Sequence, residues 1–190
     1  MISETLPYAI GLSAYIIFIM VRIFKVILLK KARYPLERSI FILATFIYFS
    51  GVVSVTLFPI PVDARLIADN ISGGFEEQNN YIPLNSIIEI LSTGFETIIL
   101  TQLGGNLILL FPLGCLMPLL SKFNTLKRNL LLGFLVSIVI ELFQVVISQL
   151  IGFTYRSVDI DDIFLNTLGT GMGYIAYKYL YLNLKEYYLA

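Results

Sequence analysis

The chain has 190 residues, 57% of them apolar, with 13 basic and 13 acidic side chains, one cysteine and no histidine or tryptophan. The apolar share exceeds that of ordinary soluble domains, the balanced charge points to no nucleic-acid partner, and a lone cysteine excludes an intrachain disulfide. Without histidine the common zinc sites, Ser-His-Asp triads and Cys-His pairs fall away, and neither a metal site nor a resident cofactor is expected.

A helix needs about 20 apolar residues to cross the hydrocarbon core of a bilayer, and five runs qualify. The first is about Leu6 to Leu29, with Arg22 and Lys25 near its end. It lacks a basic region in front and carries its charges behind, so it reads as a span rather than a cleavable signal peptide. The second is about Ser39 to Pro61. Neither run has a polar face, and both are expected to pack as scaffold. The segment from Asp63 to Glu96 follows. Within it "ISGGFEEQNN" reads as flexible, whereas "YIPLNSIIEILSTGF" predicts a short interfacial or re-entrant helix that Asn85 or Ser86 can cap. The third run is about Ile98 to Ser121, where Pro112 predicts a kink. The fourth is about Asn129 to Gly152 and contains Glu141. The fifth is about Asp162 to Leu182, with Lys178 near its end. The fold expected is all-α, a polytopic membrane helix bundle of about five transmembrane helices plus one short outer helix. Residues 1–190 form a single integral membrane domain.

Loop charge sets the orientation. The stretches Lys30 to Arg38, "KKARYPLER", and Lys122 to Arg128 are basic and belong in the cytoplasm. Asp63 to Glu96 holds six acids and one base, Arg65, and belongs outside with "GFTYRSVDIDD". Five spans with the amino end outside and the carboxyl end cytoplasmic satisfy every loop.

Polar residues interrupt the last three runs at helical spacing. Gln102 and Asn106 are four apart; Ser137, Glu141, Gln144 and Ser148 follow at four, three and four; Asp159, Asp162, Asn166, Gly169 and Gly173 do the same. Each set predicts one face of one helix. Counting about 1.5 Å of rise per residue puts Asp162 at the outer rim and Arg156 and Asp159 outside it. Asn166 then lies roughly 6 Å below the rim, Asn106 about 12 Å and Glu141 about 16 Å, near the midplane. Together these faces predict a cleft open to the outside with Glu141 near its floor and Arg156 as the nearest cation. Blander readings apply to several of these residues. The aspartates can cap a helix and complement its dipole, Gly169 and Gly173 suit close helix packing, and each amide alone suits an interhelical hydrogen bond. Glu141 is different, because an intramembrane acid is a functional candidate by default. Cys115 reads as a small buried apolar residue.

These residues resemble the VanZ-like family of bacterial membrane proteins. The similarity runs from about Asn80 to Tyr174, through "NNYIPLNSI", "GGNLILLFPLGCLMPLL", "SIVIELFQ" and "RSVDIDDIFLNTLGTGMGY". Asn106, Pro112, Gly114, Glu141, Gln144, Arg156, Asp159, Asp162, Asn166, Gly169 and Gly173 carry it. Leu84 departs from the pattern, since relatives often have proline followed by phenylalanine. The two helices over about 6–61 match only as generic spans. The resemblance implies a cell-envelope protein, typically of Gram-positive bacteria, in a family whose namesake is associated with resistance to the lipoglycopeptide teicoplanin.

Three functions fit. In the first, the cleft binds an amphiphile: a membrane lipid, a lipid-linked wall precursor or a lipoglycopeptide. Asn106, Glu141, Gln144, Arg156, Asp159, Asp162 and Asn166 are then the ligand-binding residues. In the second, the protein is an enzyme acting on a lipid-borne group. Glu141 is then the general acid or base, Asp159 and Asp162 are oxygen ligands suited to Mg²⁺ or Ca²⁺, and Arg156 steadies an anionic head group. The third is a proton-coupled transporter, which the short chain and the lack of a polar path from Glu141 to the cytoplasm disfavour.

Overall fold

A computed structural model describes residues 1–28, 36–75, 77–120 and 125–181. Most of the first basic loop and residues 122–124 of the second lie outside the described residues, as does the far end of the fifth run at Leu182.

The chain packs as two compact units, 1–60 and 61–190. In the first, α1 (Leu6–Leu28) and α2 (Leu36–Leu57) form an antiparallel hairpin. Tyr15 meets Phe46 edge to face, with ring centroids 5.6 Å apart. Main-chain bonds between Ile2 and Ile60 close the open end. Apolar side chains such as Ile10, Ile17, Phe24 and Ile27 point outward on α1. A helix apolar all round is suited to lipid rather than water.

The second unit opens with α3 (Ala64–Ser72), a helix that the sequence reading did not anticipate. Its start signal is Asp63, whose carboxylate accepts the Arg65 N–H at 2.9 Å. The expected short helix is α4 (Asn85–Ser92). Next come α5 (Glu96–Ile99), a π-helical turn over Leu100–Gly104, α6 (Gly105–Leu109) and α7 (Phe111–Leu120), which together form one span. Its break is at Leu110, two residues before Pro112, as a residue lacking an N–H and clashing with the preceding turn requires. The longest helix, α8 (Leu126–Ile151), is capped by the Thr125 hydroxyl and ends at Gly152 with φ +69°. Glycine tolerates that left-handed end at no steric cost. The last helix, α9 (Ile160–Ala176), continues through a π-helical turn to Tyr181.

Among the described residues, four helical stretches are long and apolar enough to cross a membrane: Leu6–Leu28, Arg38–Leu57, Glu96–Leu120 and Leu126–Ile151. The fifth expected span corresponds to α9 with the π-helical turn that continues it, residues 160–181, which is not among these four. No strand forms among the described residues, and the protein is a multi-pass helical membrane bundle.

Helix α9 is the axis of the second unit. Leu107, Phe111 and Gly114 lie against Gly169, Gly173 and Thr170, so α6 and α7 run parallel to it. Glu141, Ser137 and Gly133 lie against Asp159, Asn166 and Thr170, so α8 runs antiparallel. The contacts are backbone-close. A Cβ on Gly173 would stand 1.9 Å from the Phe111 carbonyl oxygen, and one on Gly169 would stand 2.0 Å from that of Leu107. The glycine pair thus lets helices approach, as small residues four apart do in membranes. Leu110, Leu113, Ile140 and Leu165 fill the buried core of this unit.

Candidate functional site

The aspartates before α9 divide into three tasks. Asp159 is its N-cap: one carboxylate oxygen accepts the Asp161 N–H at 2.8 Å and the Asn80 side-chain amide at 2.8 Å. Asp161, only 2% exposed, reaches across to α4. It accepts the Leu84 N–H at 2.6 Å and the Ile87 N–H at 3.2 Å. A carboxylate at a helix N-terminus satisfies orphan amides and complements the dipole, so Asp161 caps in place of Asn85 or Ser86. It also holds a strained turn. The Asn85 N–H bonds the Ile82 carbonyl, and Leu84 sits at φ 67°, ψ 0°, the third position of a type II turn that favours glycine. Asp162 accepts a short hydrogen bond from the Asn106 side chain, tying α6 to α9.

Glu141 is 5% exposed in the middle of α8. Its Oε2 accepts the Asp159 N–H at 3.1 Å. The carboxylates of Asp159 and Asp162 are within electrostatic reach of it. One turn away, Asn166, 1% exposed, donates to the Ser137 hydroxyl at 2.9 Å. The Oδ1 of Asn166 is buried and has no hydrogen-bond partner among the described residues. Gln144 is buried on the same stripe of α8. Arg156 is half-buried in the loop, close enough to Tyr155 for its charge to oppose the upward pull of burial on that phenol. Asn106, Glu141, Asp159, Asp162 and Asn166 thus fall along one polar seam where α6, α8 and α9 meet.

Two expectations need correction. Gln102 does not share the face of Asn106; it is exposed. The π-helical turn over Leu100–Gly104 takes more residues per rotation than an α-helix, so the α-helical spacing of four does not carry through it. The level at which α9 starts also differs, while that of Glu141 does not. Glu141 lies ten residues before the end of α8, about 15 Å below it. Since Asp159 bonds Glu141, α9 begins beside the middle of α8 rather than at its rim. The loop of residues 153–159 turns back along the last turns of α8, and residues 77–80 run beside it. Three main-chain bonds hold the two segments: Glu77 to Thr154 at 3.0 Å, Asn80 to Val158 at 2.8 Å and Ile160 to Asn80 at 3.1 Å. The sequence reading missed Asn80 and Asp161 as organisers of this seam; the available signal was their polarity beside an apolar run.

The sequence model of the VanZ/LLP1 family matches residues 41–182, well over half of the chain. This chain belongs to the VanZ/LLP1 family. The match takes in most of α2 and nearly all of the described part of the second unit, more than the stretch from Asn80 to Tyr174 on which the resemblance rested. It includes every residue of the polar seam. VanZ proteins are linked to teicoplanin resistance. No curated protein and no solved structure matches the chain significantly.

Proposed function

We propose that this VanZ/LLP1 protein acts in the bacterial plasma membrane as a binder of amphiphiles, with its amino end outside and its carboxyl end cytoplasmic. The ligand is a lipid, a lipid-linked wall precursor or a lipoglycopeptide, held in an outward-facing polar cleft. Asn106, Glu141, Gln144, Arg156, Asp159, Asp162 and Asn166 form that cleft, and α1 and α2 serve as scaffold. Glycopeptide resistance is one outcome of such binding.

The observation that carries this reading is Glu141. A carboxylate inside a spanning helix costs a few kcal/mol, and satisfying one main-chain N–H does not require it, since a neutral amide would accept the same bond. Ionisable groups rarely help a buried seam pack. Binding is favoured over catalysis because the chain has no histidine to activate a nucleophile and its one cysteine lies against Gly173, away from Glu141. The Ser137 hydroxyl accepts from Asn166, and the Cys115 thiol donates to the Gly173 carbonyl at 3.1 Å.

Glu141→Gln tests the reading. It keeps the shape and the acceptor for Asp159 while removing the charge and the titratable proton. Expression and thermal stability should be unchanged or improved, while amphiphile binding or glycopeptide resistance per folded molecule falls by about tenfold, roughly one charge-assisted hydrogen bond. Unchanged binding or resistance per folded molecule refutes the role.

A further inference from the structure

The polar stripe of α8 does not stop at Gln144. Ser148, one turn further, stands in the wall of a cavity of about 270 Å³ between α8 and the paired segments 77–81 and 153–158. Ligand pockets for drug-sized molecules start at about 300 Å³, so this one has room for a single ring and not for an acyl chain. None of the described residues lining it is charged. Its polar lining is Asn79, Tyr81, Ser148, Gln149 and Thr154. Two carboxamides and three hydroxyls can each both donate and accept.

Two of these groups have spare capacity. The Ser148 hydroxyl oxygen is buried and has no hydrogen-bond partner among the described residues. A buried polar atom in that state needs an explanation, and rotation about χ1 would bring it to a ligand in the cavity. Asn79 uses its carbonyl oxygen to accept the Val158 N–H at 2.9 Å, which orients the amide and leaves its NH₂ to donate. Tyr81 also lines the cavity and is 68% exposed, so its ring is accessible to a ligand. A phosphate would call for a cation, and no charged residue lines the cavity. A sugar ring fits its chemistry: each hydroxyl gives and takes one hydrogen bond, and the C–H face lies on an aromatic.

We propose that this cavity is a subsite for an uncharged sugar head group, so that the amphiphile bound is a glycolipid or another lipid-linked sugar. The inference rests on the amphiphile-binding reading above and names the head group. The sugar sits against Ser148, Asn79 and Gln149, while the rest of the ligand follows the seam toward Glu141.

The test uses the full chain purified in lauryldimethylamine oxide, because sugar-headed detergents would compete. Native mass spectrometry measures retention of three lipids with matched acyl chains: monoglucosyldiacylglycerol, diacylglycerol and phosphatidic acid. The glucolipid should be retained about tenfold better than either comparator, and octyl glucoside should displace it. Ser148→Val and Gln149→Leu should each reduce that preference roughly fivefold, the worth of a hydrogen bond, while retention of diacylglycerol stays constant. Gln149 is exposed on α8, so its variant reads the site even if Ser148→Val folds poorly. Glu141→Gln should instead lower retention of all three lipids. Equal retention of the three, or a preference for phosphatidic acid, overturns the sugar assignment and leaves the amphiphile reading standing. Retention of none overturns both.

Discussion

Asp161 acts on a helix that begins 76 residues earlier in the chain. Its two carboxylate oxygens accept from Leu84 and Ile87, and Asn80 lies 3.5 Å from one of them. Asp161→Asn exchanges one acceptor for a donor and sets an NH₂ against a backbone N–H. A stability loss of about 1–3 kcal/mol is expected, read as a lower melting temperature in detergent. Faster amide hydrogen exchange over residues 84–92 should accompany it; protection unchanged there would show that α4 does not depend on this cap. The cap is hard to see in the sequence because local patterns report only partners a few residues away. Glu141, Asn106 and Asn166 are legible for the opposite reason. A polar side chain within an apolar run has few tolerable positions in a membrane, so its mere presence places it on a protein-facing surface.

At the level of elements, α9 decides how closely its neighbours pack. Gly173→Ala puts a methyl into the Phe111 backbone, which cannot rotate away as a side chain can. The helices must separate, and a destabilisation of about 2–4 kcal/mol is expected, in the range of severe overpacking. Gly105→Ala is the control. Nothing lies within 4 Å of its added Cβ, so helix propensity alone should act and raise stability by up to about 1 kcal/mol. Thermal denaturation of the two variants in the same detergent checks the pair; equal melting temperatures would mean that the close approach is not needed. Helix spans of this kind are legible because hydropathy and length suffice. The small α3 and the π-helical turn are not. One depends on a single capping aspartate, and the other on how the turn closes against its neighbours, which moves Gln102 off the face its spacing implied.

For the whole molecule, orientation follows from loops whose charge is plain in the sequence. A variant with Cys115 replaced by serine and Lys31 by cysteine should resist a membrane-impermeant maleimide on intact cells and react after permeabilisation. A cysteine at Asp69 in the same background should react in both states. Labelling at position 31 on intact cells would invert the topology. The start of α9 beside the middle of α8 has an electrical consequence. A membrane potential drops across the low-dielectric part of its path, about 2.3 kcal/mol per charge for each 100 mV. On the proposed topology, loops 77–80 and 153–159 would lie within the outer half of the bilayer, and that drop would fall mainly across the inner half. Glu141 and Asp162 would then stand where the field begins to steepen, so moving a proton or a charged head group onto them would sample the voltage of the cell as well as its chemistry.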